Sequence, residues 1–446
     1  MKIKQFEDKG LAHYSYSILS EEYREIVLID PARDPQPYYT YAHENEAKIV
    51  GVIETHPHAD FVSSHLEIHE KTGATIYTHS LVGADYPHQA FDEGAELQLG
   101  EIKIRSLHTP GHSPDGISIV LEHGEQDVAV FTGDTLFIGD VGRPDLRENA
   151  GNITAKREEL ARRMYHSTRE KLMKLDDDVL VYPAHGAGTL CGKGLSEASS
   201  STISAEKATN YALQPMSEEA FVRLIIEDQP FIPKYFGYNV GLNKKGALAF
   251  QQSLESVKKL NKDAAPEKNV VVVDGRPQEQ FKKGHLKGAI NIQNGNKFET
   301  WLGSIVGPDE KFYLVAASEV SLQELIHKAA KIGYELNMAG AFIYDKEDSE
   351  ERRAFDAEKF EVRKNDFTIV DVRNSSETNA GKFFEQAITI PLPDLRERAS
   401  EIPTDKPVVV HCAGGYRSAA GSSILESLLP VEVLDMSEAV TELKEK

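Results

Sequence analysis

Four segments of this chain place histidine or aspartate just after a short apolar run, and that repetition restricts it to folds in which several strand ends converge on one cleft. The runs at 26–29, 48–54, 102–106, 128–131 and 179–182 are rich in β-branched residues and read as strands. ETHPHADFVSSH supplies His56, His58 and Asp60, HTPGHSPDG supplies His112, FTGDTLFIGD supplies Asp134 and YPAHGAG supplies His185. Any one of these, taken alone, reads equally well as a satisfied core or surface residue. In series they read as a metal constellation, because strand-end turns aim alternating side chains into one cleft.

These loops resemble the HxHxD, GH, GD and AHG loops of the metallo-β-lactamase superfamily, which implies an αββα sandwich. Within that superfamily the segment is similar to persulfide dioxygenases, and the whole chain resembles persulfide dioxygenase-rhodanese fusions. Carried over residue by residue, the family's iron ligands fall on His56, His112 and Asp134, holding one mononuclear Fe(II) per chain. Two histidines and one carboxylate with open positions suit non-haem Fe(II), but the same donors also suit zinc and manganese. Hydrolases of the superfamily usually carry histidine after the HxHxD aspartate, where this chain has Phe61, so a second metal site loses a ligand. His58, Asp60 and His185 then become residues that orient the ligands or bind substrate. Cys191, in AHGAGTLCGKG, is close enough in sequence to reach the cleft as an accessory thiol. Only Lys193 beside it would lower its pKa, and packing is its simpler role.

A second pattern begins beyond the polar, proline-bearing NKDAAPEK at 261–268. VVVVDGRPQEQFKKGHLKGAINI around Asp274 is echoed by FTIVDVRNSSETNAGKFFEQAITI around Asp371, and each continues into another apolar run (311–316 and 407–411) and a helical segment. Strands alternating with helices imply two α/β modules with parallel sheets, whose ligands sit at strand carboxyl ends. The expected domains are 1–260, 261–355 and 356–446, with the Ser- and Gly-rich stretch 192–205 a loop of the first.

In the last module VVVHCAGGYRSAAG reads as strand, glycine loop and helix start, with Cys412 at the loop's entrance. A lone cysteine after a strand is ordinarily a small buried hydrophobe. Here Ala413, Gly414, Gly415, Tyr416 and Ser418 form a loop whose N–H groups suit a thiolate and the anion it bonds to, and Arg417 adds a positive fork. The loop resembles the active loop of rhodaneses, which implies that Cys412 is the persulfide-forming nucleophile, with Arg417 beside it. Cysteine phosphatases use a similar device with five residues between Cys and Arg; the four here make a smaller cradle, better suited to sulfur than to phosphate. The family's Gly-His-Ile element is replaced by Gly381-Lys382-Phe383, which leaves the acceptor open. The middle module keeps Gly284-His285-Leu286 but has VAASEVS, without cysteine, in place of the active loop, and is expected to be structural.

A length of 446 residues fits about three domains. The net charge of -21 opposes binding to nucleic acid or anionic lipid. No apolar run follows the basic start and none approaches about 18 residues, so the expectation is a soluble cytoplasmic enzyme that does not span a membrane. Two cysteines are too few for a disulfide framework. The resemblance implies that a low-molecular-weight thiol persulfide is oxidised by O2 to sulfite and free thiol, and that rhodanese transfer then gives thiosulfate, a sulfide-detoxifying sequence run by a homo-oligomer. Two other readings stay open: a glyoxalase II-like zinc thioesterase fused to a sulfurtransferase, and a scaffold that stores persulfide on Cys412. The carrier thiol and the direction of sulfur flow at Cys412 are not written in the residues.

Overall fold

Apolar runs in the N-terminal part are buried on both faces, and this makes them the inner strands of two facing sheets. The structure, a computed structural model, describes residues 1–148, 156–262, 264–345 and 354–444. It divides into two compact units, Met1–Ser253 with Lys331–Gly333, and Leu254–Ala330 with Tyr334–Lys446.

In the first unit one sheet runs in the order Lys2–Asp8, His13–Ser20, Glu25–Ile29, Lys48–Ile53, Thr75–Thr78, Gln89–Ala90, antiparallel across the first three strands and parallel beyond. The other runs Ser201–Thr202, Leu180–Pro183, Gln126–Gly133, Ile117–His123, Ile102–His108, Glu96–Leu99. Successive side chains point to opposite faces, so Ile18, Val27 and Ile29 pack with Ile104, Ile119, Leu121 and Phe131 between the sheets, while Leu19, Ile26 and Leu28 face outward. Tyr38 of helix Gln36–Glu44 and Ile68 of helix His65–Thr72 cover those outward residues. Behind the other sheet Val120, Val130 and Val181 meet Met164 of helix Arg157–His166 and Phe221 of helix Glu218–Ile226. The result is the expected αββα sandwich. Strands Ile102–His108, Gln126–Gly133 and Leu180–Pro183 share one direction, so their carboxyl ends open on a single edge. The stretch at 192–205 is not loop throughout: Thr202 lies in a short strand paired with Leu180–Pro183, and its side chain accepts from the Ala205 N–H to cap helix Ile203–Thr209.

The second unit holds two four-stranded parallel sheets of identical strand order. One is Ile290–Asn291, Val271–Asp274, Phe312–Ala316, Met338–Ile343; the other is Ile388–Thr389, Thr368–Asp371, Val408–His411, Val433–Asp435. The repeated Asp-x-Arg performs the same task in each. Arg276 grips Asp274 at 2.7 Å and the Gly284 carbonyl at 2.9 Å, and Arg373 grips Asp371 at 2.7 Å and the Gly381 carbonyl at 3.0 Å. These buried forks tie the first strand end to the turn after the next helix. Within the segment 261–268, Asp263 lies outside the described residues. Among the described residues no helix is long and apolar enough to cross a membrane.

Candidate metal centre and sulfur-transfer loop

His56 follows strand Lys48–Ile53, His112 lies in the turn after Ile102–His108, and Asp134 directly follows Gln126–Gly133. Their donor atoms lie within 4.8 Å of one another, and all three residues are buried. Asp134 Oδ2 is 3.5 Å from His112 Nε2 and 3.8 Å from His56 Nε2. The rings are oriented from behind. Thr55 Oγ1 donates to Asp30 Oδ2 at 2.8 Å, so it accepts from His56 Nδ1 at 3.1 Å. The Arg143 carbonyl accepts from His112 Nδ1 at 3.0 Å. Both rings therefore present Nε2 lone pairs to the cleft.

Burial pushes His56 and His112 below the usual histidine range, which keeps them neutral. Burial opposes an ionised Asp134, but His185, which lies against it and donates to Oδ1, outweighs burial and holds the carboxyl well below the usual carboxylate range. Asp134 Oδ1 accepts from His185 Nδ1 at 2.9 Å, whereas its Oδ2 and His56 Nε2 are buried with no hydrogen-bond partner. Unsatisfied lone pairs gathered at one buried point are costly unless a cation holds them. The trio therefore fits one divalent metal.

The other predicted residues form a layer around this trio. His58 Nε2 lies 3.1 Å from Asp30 Oδ1, and although burial lowers its pKa, Asp30 outweighs burial and pushes it up to about 9. A protonated imidazole donates rather than ligates. His185 bridges two carboxylates, with Nε2 at 2.8 Å from Asp60 Oδ2 and Nδ1 at 2.9 Å from Asp134 Oδ1. Cys191 does reach the cleft, its sulfur falling within 4.8 Å of donor atoms on Asp60 and His185. Burial, reinforced by Asp60 and Asp134, pushes that thiol up, so it stays protonated. Phe61 is buried, with its ring centroid 3.9 Å from that of His13 and 4.4 Å from that of His58.

Several residues of this layer stand outside the four histidine- and aspartate-bearing motifs. His13 opens a strand at no ligand-like spacing, and Asp30 directly follows one as an ordinary polar residue. Arg143 forks Asp145 with two 2.7 Å bonds, and Arg147 reaches Ser113 at 2.6 Å and Asp115 at 3.1 Å beside the His112 turn. The run GRPDLR at 142–147 was the available signal, since paired arginines and an aspartate after a strand suit a buried fork.

In the second unit strand Val408–His411 is fully buried and delivers Cys412 to a tight loop. The Gly415 N–H donates to Cys412 Sγ at 3.1 Å. Gly415 has φ +100°, and a Cβ there would lie 3.2 Å from the Ser437 carbonyl carbon, so the turn requires glycine. It caps helix Tyr416–Leu428, whose Ser418 hydroxyl donates back to the Gly415 carbonyl at 3.0 Å. Ala413 is half-buried and Gly414 exposed, forming the mouth of the loop. Tyr416 donates to the Gln293 carbonyl of the middle module at 2.6 Å. The Arg417 fork is engaged by Glu377, with contacts of 2.5 and 2.8 Å.

Residues 11–185 match the family model described as Metallo-beta-lactamase superfamily, and 254–345 and 356–446 each match the Rhodanese-like domain. The mitochondrial persulfide dioxygenase ETHE1 of Bos taurus is 30% identical over 237 residues, spanning 52% of this chain and 82% of that protein. The cytoplasmic hydroxyacylglutathione hydrolase of Arabidopsis thaliana is 36% identical over 134 residues, spanning 29% of this chain and 52% of that protein. Among solved structures, a metallo-beta-lactamase from Staphylococcus aureus subsp. aureus COL is 32% identical with TM-score 0.70, covering 77% of this chain and 99% of its own.

Proposed function

Because the chain belongs to the metallo-beta-lactamase superfamily and carries two rhodanese-like domains, the make-up of a persulfide dioxygenase-rhodanese fusion, we propose that it oxidises a low-molecular-weight thiol persulfide and transfers sulfane sulfur through Cys412. The observation that carries the first half is the buried trio His56, His112 and Asp134, aimed at one point, with Phe61 where a second cation would need a ligand. That is a mononuclear donor set rather than the two-cation site of a hydrolase.

In this reading His56 Nε2, His112 Nε2 and Asp134 Oδ2 hold one Fe(II), which when bound supplies the redox chemistry that lets O2 react with the persulfide. Thr55 and the Arg143 carbonyl fix the two rings, and His185 holds the far oxygen of Asp134 so that Oδ2 faces inward. Phe61 packs its ring against those of His13 and His58, which holds His58 beside the trio. The overall change balances as RSSH, O2 and water giving RSH, sulfite and two protons. In the second half the Cys412 thiolate takes the outer sulfur of a persulfide, and sulfite then removes it as thiosulfate, regenerating the thiol. The Gly415 N–H steadies the cysteine sulfur through both steps.

One observation favours a second reading. Asp60, His185 and Cys191 still cluster within 4.8 Å, and a hydroxyacylglutathione hydrolase is among the relatives, as a zinc thioesterase would require. Oxygen dependence separates the two. Iron-loaded protein given a small thiol persulfide is expected to consume O2 and release sulfite and thiosulfate, with Cys412→Ser consuming O2 equally but accumulating sulfite at the expense of thiosulfate. Release of thiol from an acylthiol without O2 uptake from the persulfide would return the first unit to the hydrolases.

A further inference from the structure

The paired modules of the second unit separate residues that serve the scaffold from those that serve sulfur transfer. Both keep the Asp-x-Arg fork and its bond to a glycine carbonyl ten residues past the aspartate. That register sets Gln280 opposite Glu377, each six residues past its aspartate. The helix that follows the third strand begins at Glu319 in one module and Tyr416 in the other, which sets Val320 opposite Arg417. The module without cysteine has therefore lost both partners of the Arg417–Glu377 pair while keeping the fork. A pair present only where the cysteine is present points to the cysteine's chemistry, even though Glu377 also closes a helix cap.

Where the pair exists, it is closed. Arg417 Nη1 and Nη2 meet Glu377 Oε2 and Oε1 at 2.5 and 2.8 Å. Glu377 is itself fixed, since Oε2 also accepts from the Asn374 N–H at 3.1 Å in the capping box of helix Ser375–Ala380. The parallel Nη1 and Nη2 donors that would grip an anion are thus already engaged. Two further charges near the loop are a paired cation and an anion. Arg373 is held by Asp371, and the Glu438 γ-carbon lies 3.4 Å from where a Gly415 Cβ would stand. What the loop offers a ligand is backbone N–H groups, Gly415 among them. Such a cradle suits a sulfur atom or a monoanion, and returns little to a dianion for the water it must shed.

We propose that Glu377 is the specificity-determining residue of this loop: by occupying Arg417 it selects thiol persulfide over thiosulfate as the sulfur donor to Cys412. The inference rests on the reading of Cys412 as the persulfide-forming nucleophile. In the selected step the Cys412 thiolate attacks the outer sulfur of RSSH, the RS–S bond breaks, and its electron pair leaves on RS⁻ while the outer sulfur and its proton stay on Cys412. Thiosulfate would undergo the same attack with sulfite as leaving group, but only after bringing a dianion to a loop whose cation is already paired.

The test uses the full-length protein and follows the gain of one sulfur on Cys412 by mass spectrometry, with 2-mercaptoethanol persulfide and thiosulfate as alternative donors. Glu377→Gln is expected to raise the thiosulfate-to-persulfide ratio of kcat/KM about tenfold, through a lower KM for thiosulfate, and Glu377→Asp to restore it. A ratio that does not move, or loading altered equally for both donors, overturns the proposal. If Glu377→Gln does not fold, the wild type decides: a large excess of thiosulfate should leave loading by the persulfide unslowed, and slowing it overturns the proposal. No loading from either donor overturns this inference together with the reading of Cys412, whereas loading without donor selectivity overturns the inference alone.

Discussion

His185 touches two carboxylates, one of them on Asp134, so its effect on a metal held by the trio would run through Asp134. It donates to Asp134 Oδ1 at 2.9 Å and contacts Asp60 Oδ2 at 2.8 Å. Removing such an orienting partner typically costs about 10–100-fold in metal affinity. His185→Ala is therefore expected to weaken Fe(II) binding by that factor, measured by competition with a chelator, while His112→Ala abolishes it. Equal affinity in His185→Ala and wild type would remove His185 from the centre. The trio itself was legible because each member sits in a strand-end motif, and the loop sequence surrounds Cys412 with glycines and an arginine. His13, Asp30 and Arg147 were not, because their role comes from neighbours brought by the sheets: His13 meets Phe61, and Arg147 meets Ser113. Even for legible residues the sequence did not give the partner. Arg417 reads as a free fork until Glu377, forty residues earlier, is seen to fill it.

At the scale of elements, the sulfur-transfer loop depends on one turn and one helix. Gly415 is at φ +100° with a virtual Cβ 3.2 Å from Ser437 and 3.3 Å from the Glu438 nitrogen, both backbone atoms that cannot rotate aside. Gly415→Ala is expected to destabilise the second unit by about 1–3 kcal/mol, the cost of a non-glycine residue in a left-handed, crowded position. It should also slow sulfur loading of Cys412 by withdrawing the N–H now 3.1 Å from the sulfur. Urea denaturation read beside the loading rate checks both, and unchanged values in each would mean the turn accommodates a side chain. The helix Tyr416–Leu428 that follows leans on the middle module: Ser423 Oγ accepts from the Asn291 N–H at 2.9 Å, and Tyr416 reaches the Gln293 carbonyl at 2.6 Å. The module without cysteine thus buttresses the helix that follows the Cys412 loop. Strands such as Val408–His411 were readable from β-branched runs, and the presence of two kindred modules from the repeated Asp-x-Arg, whereas their shared strand order was not. The buttress was not, since it joins polar residues more than a hundred positions apart, and neither was the short strand inside the Ser-rich stretch, which pairing rather than propensity creates.

For the molecule as a whole, the proposed function gives the fusion a kinetic consequence. The proposed sulfite-forming centre lies in the first unit and Cys412 in the second, and covalent linkage gives each an effective concentration of the other that does not depend on protein concentration. The acidic surplus of this chain, -21 overall, repels sulfite released to bulk solvent rather than gathering it back, so transfer between separate molecules has no electrostatic assistance. Wild type is therefore expected to give a thiosulfate-to-sulfite ratio independent of dilution. An equimolar mixture of His112→Ala, which lacks the oxidising centre, and Cys412→Ser, which lacks the nucleophile, should give a lower ratio that climbs toward the wild-type value as protein concentration rises. Product analysis across a hundredfold dilution series distinguishes these curves. Superimposed curves would mean that sulfite equilibrates with solvent before it meets the persulfidated cysteine. In that case the fusion would secure joint presence of the two activities rather than transfer between them.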